Sequence, residues 1–505
     1  MLVRYQHVPF VIVLLTIAAL SMLIPAVHAY VVRDLETARS FFYSSLLFLT
    51  LSGILGITTS NIRVRRQGRG QLIALLSFFA VLPLALALPF WESVPSTTYW
   101  NAYVEMVSSL TTTGMTLFPP DRLPDSVHLW RALVGWGGGF FVWVTAIALL
   151  APLNLGGFEV SSPAEIGQGA RVGTSQIDRV ANPAERLRRF TVDLAPIYGG
   201  LTVVLWTALL LAGDTPLVAA SHAMSTMATS GISPVGGVGQ SSSGVMGEAL
   251  ILCFLVFGLS RVTFSSDERA DGWRTLQRDP ELRLGLLFVC VLPLLLFARH
   301  WGAAFDDDSE VTLLEGLSGL WGGAFTVASF LTTTGWESTS WGAARAWSGL
   351  ETPGLLLMGL ALFGGGVATT AGGVKLLRVF ALYKHGTREM EKLVLPSSIG
   401  GAGQVARRFR RQGAYVAWIF FMLFAMSIAI VTTSLSLMGL DFETSLILTF
   451  SALSTTGPLV SVAGEAPILV GSLPAGAKAI LSFAMIVGRL EALAIIALMN
   501  PEFWR

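Results

Sequence analysis

Charged residues make up only 13% of this 505-residue chain, and there are two cysteines and six scattered histidines. Cys253 and Cys290 each fall inside an apolar run, which excludes a disulfide framework and a zinc site. There is no His-Glu-x-x-His, and neither cysteine has a partner base nearby, so an intramembrane enzyme is rejected. His222 reads as a hydrogen-bonded packing residue. No Gly-x-Gly-x-x-Gly follows a strand, so the chain has no recognisable nucleotide domain of its own, and nucleic acid is not expected as a partner. What the chain has is apolar length. Hydrophobic residues reach 53% and the mean hydropathy is +0.65, outside the range of an ordinary soluble domain. Many apolar runs approach the ~20 residues needed to cross ~30 Å of hydrocarbon. The first, Val8–Val32, is too long for a signal-peptide core and is read as a transmembrane helix.

The strongest pattern is a repeat. Leu110-Thr111-Thr112-Thr113-Gly114 recurs letter for letter as Leu331-Thr332-Thr333-Thr334-Gly335. Looser copies are Met227-Ala228-Thr229-Ser230-Gly231 and Leu453-Ser454-Thr455-Thr456-Gly457. The glycines lie 117, 104 and 122 residues apart, far beyond a solenoid period, so each copy belongs to a small subdomain. One such run alone would suit close helix packing in a membrane. Four, each between two apolar spans, suit a ring. A potassium ion leaving water needs oxygen atoms in place of its hydration shell, and backbone carbonyls with threonine hydroxyls supply them. Glycine permits the dihedrals that aim successive carbonyls at one axis. The candidate ion-binding residues are therefore Thr112, Thr113 and Gly114; Thr229, Ser230 and Gly231; Thr333, Thr334 and Gly335; and Thr455, Thr456 and Gly457.

In chain order, Val8–Val32 and Phe41–Thr59 form a helical pair outside the pattern. Each repeat then reads as span, short re-entrant helix, filter loop, span. The re-entrant helices are predicted at Thr98–Ser109, Pro216–Met227, Glu315–Phe330 and Asp441–Leu453. Their C-terminal ends would present negative dipole charge to a central cation. The spans of the four repeats are predicted at Gln71–Phe90 and His128–Pro152; Phe190–Ala212 and Val245–Val262; Leu282–Ala298 and Glu351–Tyr383; Tyr415–Met438 and Pro474–Met499. The fold class is an all-α integral membrane protein, with four span–pore-loop–span repeats around a central pore plus an N-terminal helical pair. The division is 1–62 for the hairpin, then 63–160, 161–275, 276–400 and 401–505 for the repeats. Most of the 33 Lys and Arg fall in the loops between repeats, among them Arg63, Arg65, Arg66, Arg171, Arg179, Arg261, Arg269, Arg407 and Arg408. Those loops are assigned to the cytoplasm, so the filter loops open outward. An acidic run, Asp306-Asp307-Asp308 with Glu310, precedes the third re-entrant helix. It either concentrates cations at the mouth or is a solvated turn.

Two interruptions stand out. Phe363 is followed by Gly364-Gly365-Gly366, and Gly372-Gly373-Val374-Lys375 closes the run. Five glycines in ten positions will not hold a regular helix, so a loop is expected inside the membrane, below the filter. The last span carries Gly488-Arg489-Leu490-Glu491. An intramembrane arginine is costly and normally faces a cavity or a partner, so Arg489 is expected to face the pore, repelling cations and binding loop carbonyls. The candidate gate is Gly364, Gly365, Gly366, Gly372, Gly373, Lys375 and Arg489. Glu105, in the first re-entrant helix, is the main mid-membrane acid and reads as structural or as a coupling site.

With these residues in place the chain resembles the TrkH/TrkG/KtrB superfamily of potassium transporters, most closely its TrkH branch. The resemblance covers nearly the whole chain, from the four filter glycines through the glycine-rich interruption and Gly488-Arg489-Leu490-Glu491 to Asn500-Pro501-Glu502-Phe503-Trp504-Arg505. It implies potassium uptake through a channel-like pore with an intramembrane gating loop; the alternative is a proton- or sodium-coupled symporter. It also implies K+ as the transported ion bound at the filter, with no organic cofactor. A homodimer with one pore per subunit, and a cytosolic TrkA-type nucleotide-binding regulatory subunit, come with it. So does a bacterial cytoplasmic (inner) membrane location with both termini in the cytoplasm. Glycine at Gly114, where related plant transporters with serine are sodium-selective, implies potassium preference. Filters two and four depart from the common TrkH-like patterns, reading Thr229-Ser230-Gly231 and Ser454-Thr455-Thr456-Gly457-Pro458.

Overall fold

The computed structural model describes residues 10–59, 67–151, 157–158, 183–260, 277, 279–303, 313–350, 352–394 and 411–490. The inner-loop arginines named above, the acidic run at 306–310, Glu491 and the closing 500–505 lie outside these residues. Every regular element within them is helical.

Seven helices among the described residues are long and apolar enough to cross a membrane, and the protein is a multi-pass membrane protein. The N-terminal pair is α1 (Phe10–Ser21), α2 (Leu23–Val31) and α3 (Leu35–Thr59). The predicted first span is found as one crossing, Val11–Val31, with its helical ladder interrupted at Met22. Pro25 cannot donate to the Ser21 carbonyl, so the ladder fails there. The next predicted span is likewise one crossing, Ala74–Ser93, interrupted at Val81 between α4 (Gln67–Ala80) and α5 (Leu82–Ser93), because Pro83 cannot donate to Phe79.

Repeat one continues with the re-entrant helix α6 (Tyr99–Leu110) and α7 (Asp125–Thr145), which runs into a π-helical turn over Ala146–Leu150. Repeat two is α8 (Pro183–Leu211), re-entrant α9 (Pro216–Ala228) and α10 (Gly244–Leu259). Repeat three is α11 (Pro280–Ala303), re-entrant α12 (Leu313–Leu331), an outer helix α13 (Trp341–Ser348), α14 (Gly354–Phe363) and α15 (Leu376–Val394). Repeat four is α16 (Arg411–Ser436), re-entrant α17 (Phe442–Leu453), the single turn α18 (Leu459–Val462) and α19 (Ala475–Leu490).

Local chemistry sets the re-entrant starts. Thr98 caps α6 by accepting from the Asn101 N–H, and the Asp441 carboxylate caps α17 by accepting from Thr444 at 2.9 Å. Pro216 opens α9, where its missing N–H costs nothing.

The four repeats close on one another. Each re-entrant helix packs against the spans of its own repeat and against the closing helix of the repeat before it. Thus α7 meets α9, α10 meets α12, α14 meets α17, and α19 returns to α6. That cyclic order places the four filter loops together at the centre.

Candidate functional site

At the end of each re-entrant helix the backbone does the same unusual thing. Thr112, Thr229, Thr333 and Thr455, each two residues before its filter glycine, have φ between +48° and +60°. A β-branched residue in the left-handed region is a genuine outlier, held at a cost of order 1–3 kcal/mol. Four at one register mark a conformation the surroundings enforce. Gly114, Gly231 and Gly335 are also left-handed, with φ of +70°, +66° and +82°. Alternating the hand of successive residues swings successive carbonyls toward one side, the geometry of an oxygen-lined wall.

The strain is held by a device repeated four times. The carbonyl of Ser108 accepts from the Thr113 N–H at 2.9 Å, and Ser225 from Ser230 at 3.0 Å. Ser329 accepts from Thr334 at 2.9 Å, and Ser451 from Thr456 at 2.9 Å. Each of these serines lies six residues before its filter glycine, an offset that the sequence itself carries. Their hydroxyls pin the loop as well. Ser108 Oγ donates to the Met115 carbonyl at 2.6 Å, Ser329 Oγ accepts from the Trp336 N–H at 2.7 Å, and Ser451 Oγ reaches the Thr456 carbonyl at 3.0 Å.

The loops abut in ring order. A Cβ on Gly114 would overlap the Ser230 carbonyl, one on Gly231 the Thr334 carbonyl, and one on Gly457 the backbone of Gly114 and Met115. On Gly335 it would come within 3.0 Å of Thr456 Cγ2. The Gly457 N–H also donates to the Thr113 carbonyl at 2.6 Å. All twelve candidate filter residues are brought together here, and the ring closes from repeat four to repeat one.

The hydroxyls divide by position. Those of Thr113, Thr334 and Thr456 pair with Thr111, Thr332 and Ser454, at 2.8, 3.2 and 3.1 Å. Three of the left-handed threonines turn their hydroxyls toward the glycine-rich segment. Thr333 Oγ1 accepts from the Gly372 N–H at 2.8 Å, and Thr229 Oγ1 reaches Thr370 Oγ1 at 3.2 Å. Thr112 and Thr455 Oγ1 are buried without a hydrogen-bond partner among the described residues. These two oxygens, with the carbonyls, are the groups that suit a desolvated cation.

Beneath the ring, α14 ends at Phe363 and α15 begins at Leu376, so the helix breaks where the five glycines predict it. Every residue from Gly364 to Leu377 is buried. Tight packing requires the glycines: a Cβ on Gly372 would overlap Thr455 Oγ1 and the Ser454 carbonyl, and one on Gly366 the Leu259 carbonyl. The segment is pinned on several sides. Gly366 N–H donates to the Gly258 carbonyl at 3.0 Å, and Val367 N–H to the Glu281 carboxylate at 2.8 Å. Thr370 Oγ1 donates to the Met227 carbonyl at 3.1 Å. Lys375 Nζ donates to the Ala371 carbonyl, and Arg489 Nη2, from α19, donates to the Thr370 carbonyl at 2.6 Å. Arg489 is 7% exposed. The candidate gate residues therefore converge on one buried segment directly against the candidate filter loops. A cavity of about 30 Å³ remains between this segment and α19, bordered by Ala146, Leu150, Gly372, Lys375 and Arg489. It has room for a water molecule or two and none for a hydrated cation.

Glu105 lies outside this constellation. Its Oε1 pairs with Arg131 Nε at 2.7 Å and its Oε2 accepts from the Leu117 N–H at 2.8 Å, all buried. That is a brace behind filter one. His222 Nε2 is 2.8 Å from Ser233 Oγ, and its ring packs on Trp336.

Comparisons with known proteins find similar chains and a similar fold. The TrkH family model, described as a cation transport protein, matches residues 285–504. The Trk system potassium uptake protein TrkH of Halomonas elongata is 31% identical over 450 residues, covering 87% of this chain and 86% of that protein. The protein of the same name from Salmonella typhimurium is 29% identical over 494 residues, covering 96% of each. Among solved structures, the potassium transporter TrkH from Vibrio parahaemolyticus superposes with a TM-score of 0.81 at 25% identity, over 100% of both chains.

Proposed function

The chain belongs to the TrkH family of cation transport proteins, and we propose that it takes up potassium through the ring of four filter loops, gated by the glycine-rich plug beneath. The observation that carries this is the fourfold left-handed threonine with its serine-held loop, closed into a ring. Such a ring offers carbonyl and hydroxyl oxygens in place of water and asks for no carboxylate. Thr112, Thr113 and Gly114, with their counterparts in the other three repeats, replace the hydration shell of K+. The plug of Gly364–Gly373 with Lys375 holds the path shut, and Arg489 fixes it there while setting a positive charge across the route. The five units divide as the repeats suggest, at 62, 160, 275 and 400.

The inner loops carry the basic residues, so the filter faces outward and both termini face the cytoplasm of a bacterial cell, across its inner membrane. A homodimer and a nucleotide-binding regulatory partner of the TrkA type, supplied by another chain, complete the system. The test is Gly114→Ser. The added side chain must displace the Ser230 carbonyl, so rubidium uptake should become more sensitive to competing sodium. Unchanged competition in a folded variant removes Gly114 from the ion path.

A further inference from the structure

Behind the outer end of filter three lies a carboxylate that no part of the gate or ring accounts for. Glu248, on α10 of repeat two, is fully buried. Its Oε2 accepts from Trp321 Nε1 at 2.8 Å and from Ser338 Oγ at 2.7 Å. Its Oε1 accepts from the Thr339 N–H at 2.6 Å and from Thr339 Oγ1 at 2.8 Å. Four neutral donors fill the lone-pair positions of an ionised carboxylate. No Lys, Arg or His pairs with it among the described residues, in contrast to Glu105, whose charge is balanced by Arg131.

The segment it holds is the exit of the filter. Ser338 and Thr339 stand three and four residues beyond Gly335. Between them and the glycine, Trp336 donates its backbone N–H to Ser329 and its indole N–H to the Gly231 carbonyl at 3.0 Å. Glu248 therefore fixes the strand that ties filter three to filter two. In the ring, filters one and three are diagonal, and these two have buried carboxylates behind their exits. Only the one behind filter three has no cationic side chain paired with it among the described residues.

We propose that Glu248 is a positioning and affinity-setting residue for the conducted cation: it holds the outer end of filter three in register, and its charge draws a monovalent cation into the outer filter. This rests on the four loops being the ion path. Three residues of extended chain reach at most about 10 Å, and the Ser338 side chain with its hydrogen bond to the carboxylate adds about 5 Å, so the charge lies within about 15 Å of Gly335. A unit charge at that range, through an effective dielectric near 20, alters cation occupancy several-fold.

The test uses the full chain reconstituted in liposomes, with potential-driven rubidium uptake measured against rubidium and sodium concentration. Glu248→Gln keeps the side-chain shape and removes the charge; it should raise the half-saturating rubidium concentration about five-fold while leaving maximal uptake within about two-fold. Glu248→Asp, retaining the charge, should lie nearer wild type, a rescue that simple damage to packing would not give. Ser338→Ala keeps the carboxylate and loosens the strand; it should leave half-saturation in place and weaken rubidium over sodium discrimination several-fold. Wild-type half-saturation in folded Glu248→Gln overturns the proposal. If that variant does not fold, wild-type discrimination in Ser338→Ala overturns it. Gly335→Ser separates the two readings: if it alters sodium competition while the Glu248 and Ser338 variants do not, the filter stands and this proposal fails, and if none of them does, both fail.

Discussion

Replacing Arg489 by alanine should open the pore. The side chain donates to the Thr370 carbonyl at 2.6 Å from a position 7% exposed, so its bond is charge-assisted and shielded from water. Losing such a bond costs about 1.5–3 kcal/mol. At 1.4 kcal/mol per factor of ten, the balance between shut and open plug moves about ten- to a hundredfold toward open. The substitution also removes a positive charge facing a cation path, which acts in the same direction. Basal rubidium uptake into liposomes should therefore rise by at least tenfold, up to the limit set by a fully open pore. Arg489→Lys separates the two contributions, since it keeps the charge and loses the planar fork; it should fall between wild type and Arg489→Ala. The reasoning is refuted if Arg489→Ala elutes as a folded, monodisperse protein and conducts at the wild-type rate.

Thr333→Val removes the oxygen that accepts the Gly372 N–H and leaves that buried group unpaired, at about 1–3 kcal/mol. Basal uptake should rise about tenfold, while Thr333→Ser, which keeps the hydroxyl, should stay near wild type; equal fluxes in all three would detach the plug from the filter. Glu105 and Arg131 form a buried pair, and removing one partner costs about 3–5 kcal/mol. Arg131→Leu should thus lower the thermal midpoint in detergent more than Glu105→Leu/Arg131→Leu does, and the reverse order would show that the pair is not coupled.

The architecture was legible because it is written in run length and repetition. Apolar stretches of membrane-crossing length, four Thr/Ser-Gly loops at one place in each repeat, and a cluster of glycines inside a span are all local signals. The break between Phe363 and Leu376 followed from composition alone, since that many glycines cannot hold a helix. The interruptions at Met22 and Val81 are equally readable, since Pro25 and Pro83 each remove one donor from a span that still crosses as a unit. Ser108, Ser225, Ser329 and Ser451 share one offset from their glycines, so an alignment of the repeats on glycine would have exposed them. Glu248 had no such signal. It sits on the closing helix of one repeat and serves the filter exit of the next, 90 residues away along the chain. Contacts of that kind arise only once the ring has closed, as does the bond from Thr333 to Gly372 that joins filter to plug. Glu105 stands out in the sequence by its depth in an apolar segment, while nothing local marks Arg131 as the residue that neutralises it.

The central claim is that four loops make one potassium-selective path. The most direct measurement is uptake of radioactive rubidium by liposomes holding the purified chain alone, under an imposed inside-negative potential, with sodium as competitor and no proton gradient. The account expects uptake that follows the potential and resists an excess of sodium, small in wild type and large in Arg489→Ala. Uptake in Arg489→Ala that sodium abolishes at equal concentration, or that requires a proton or sodium gradient, would contradict it.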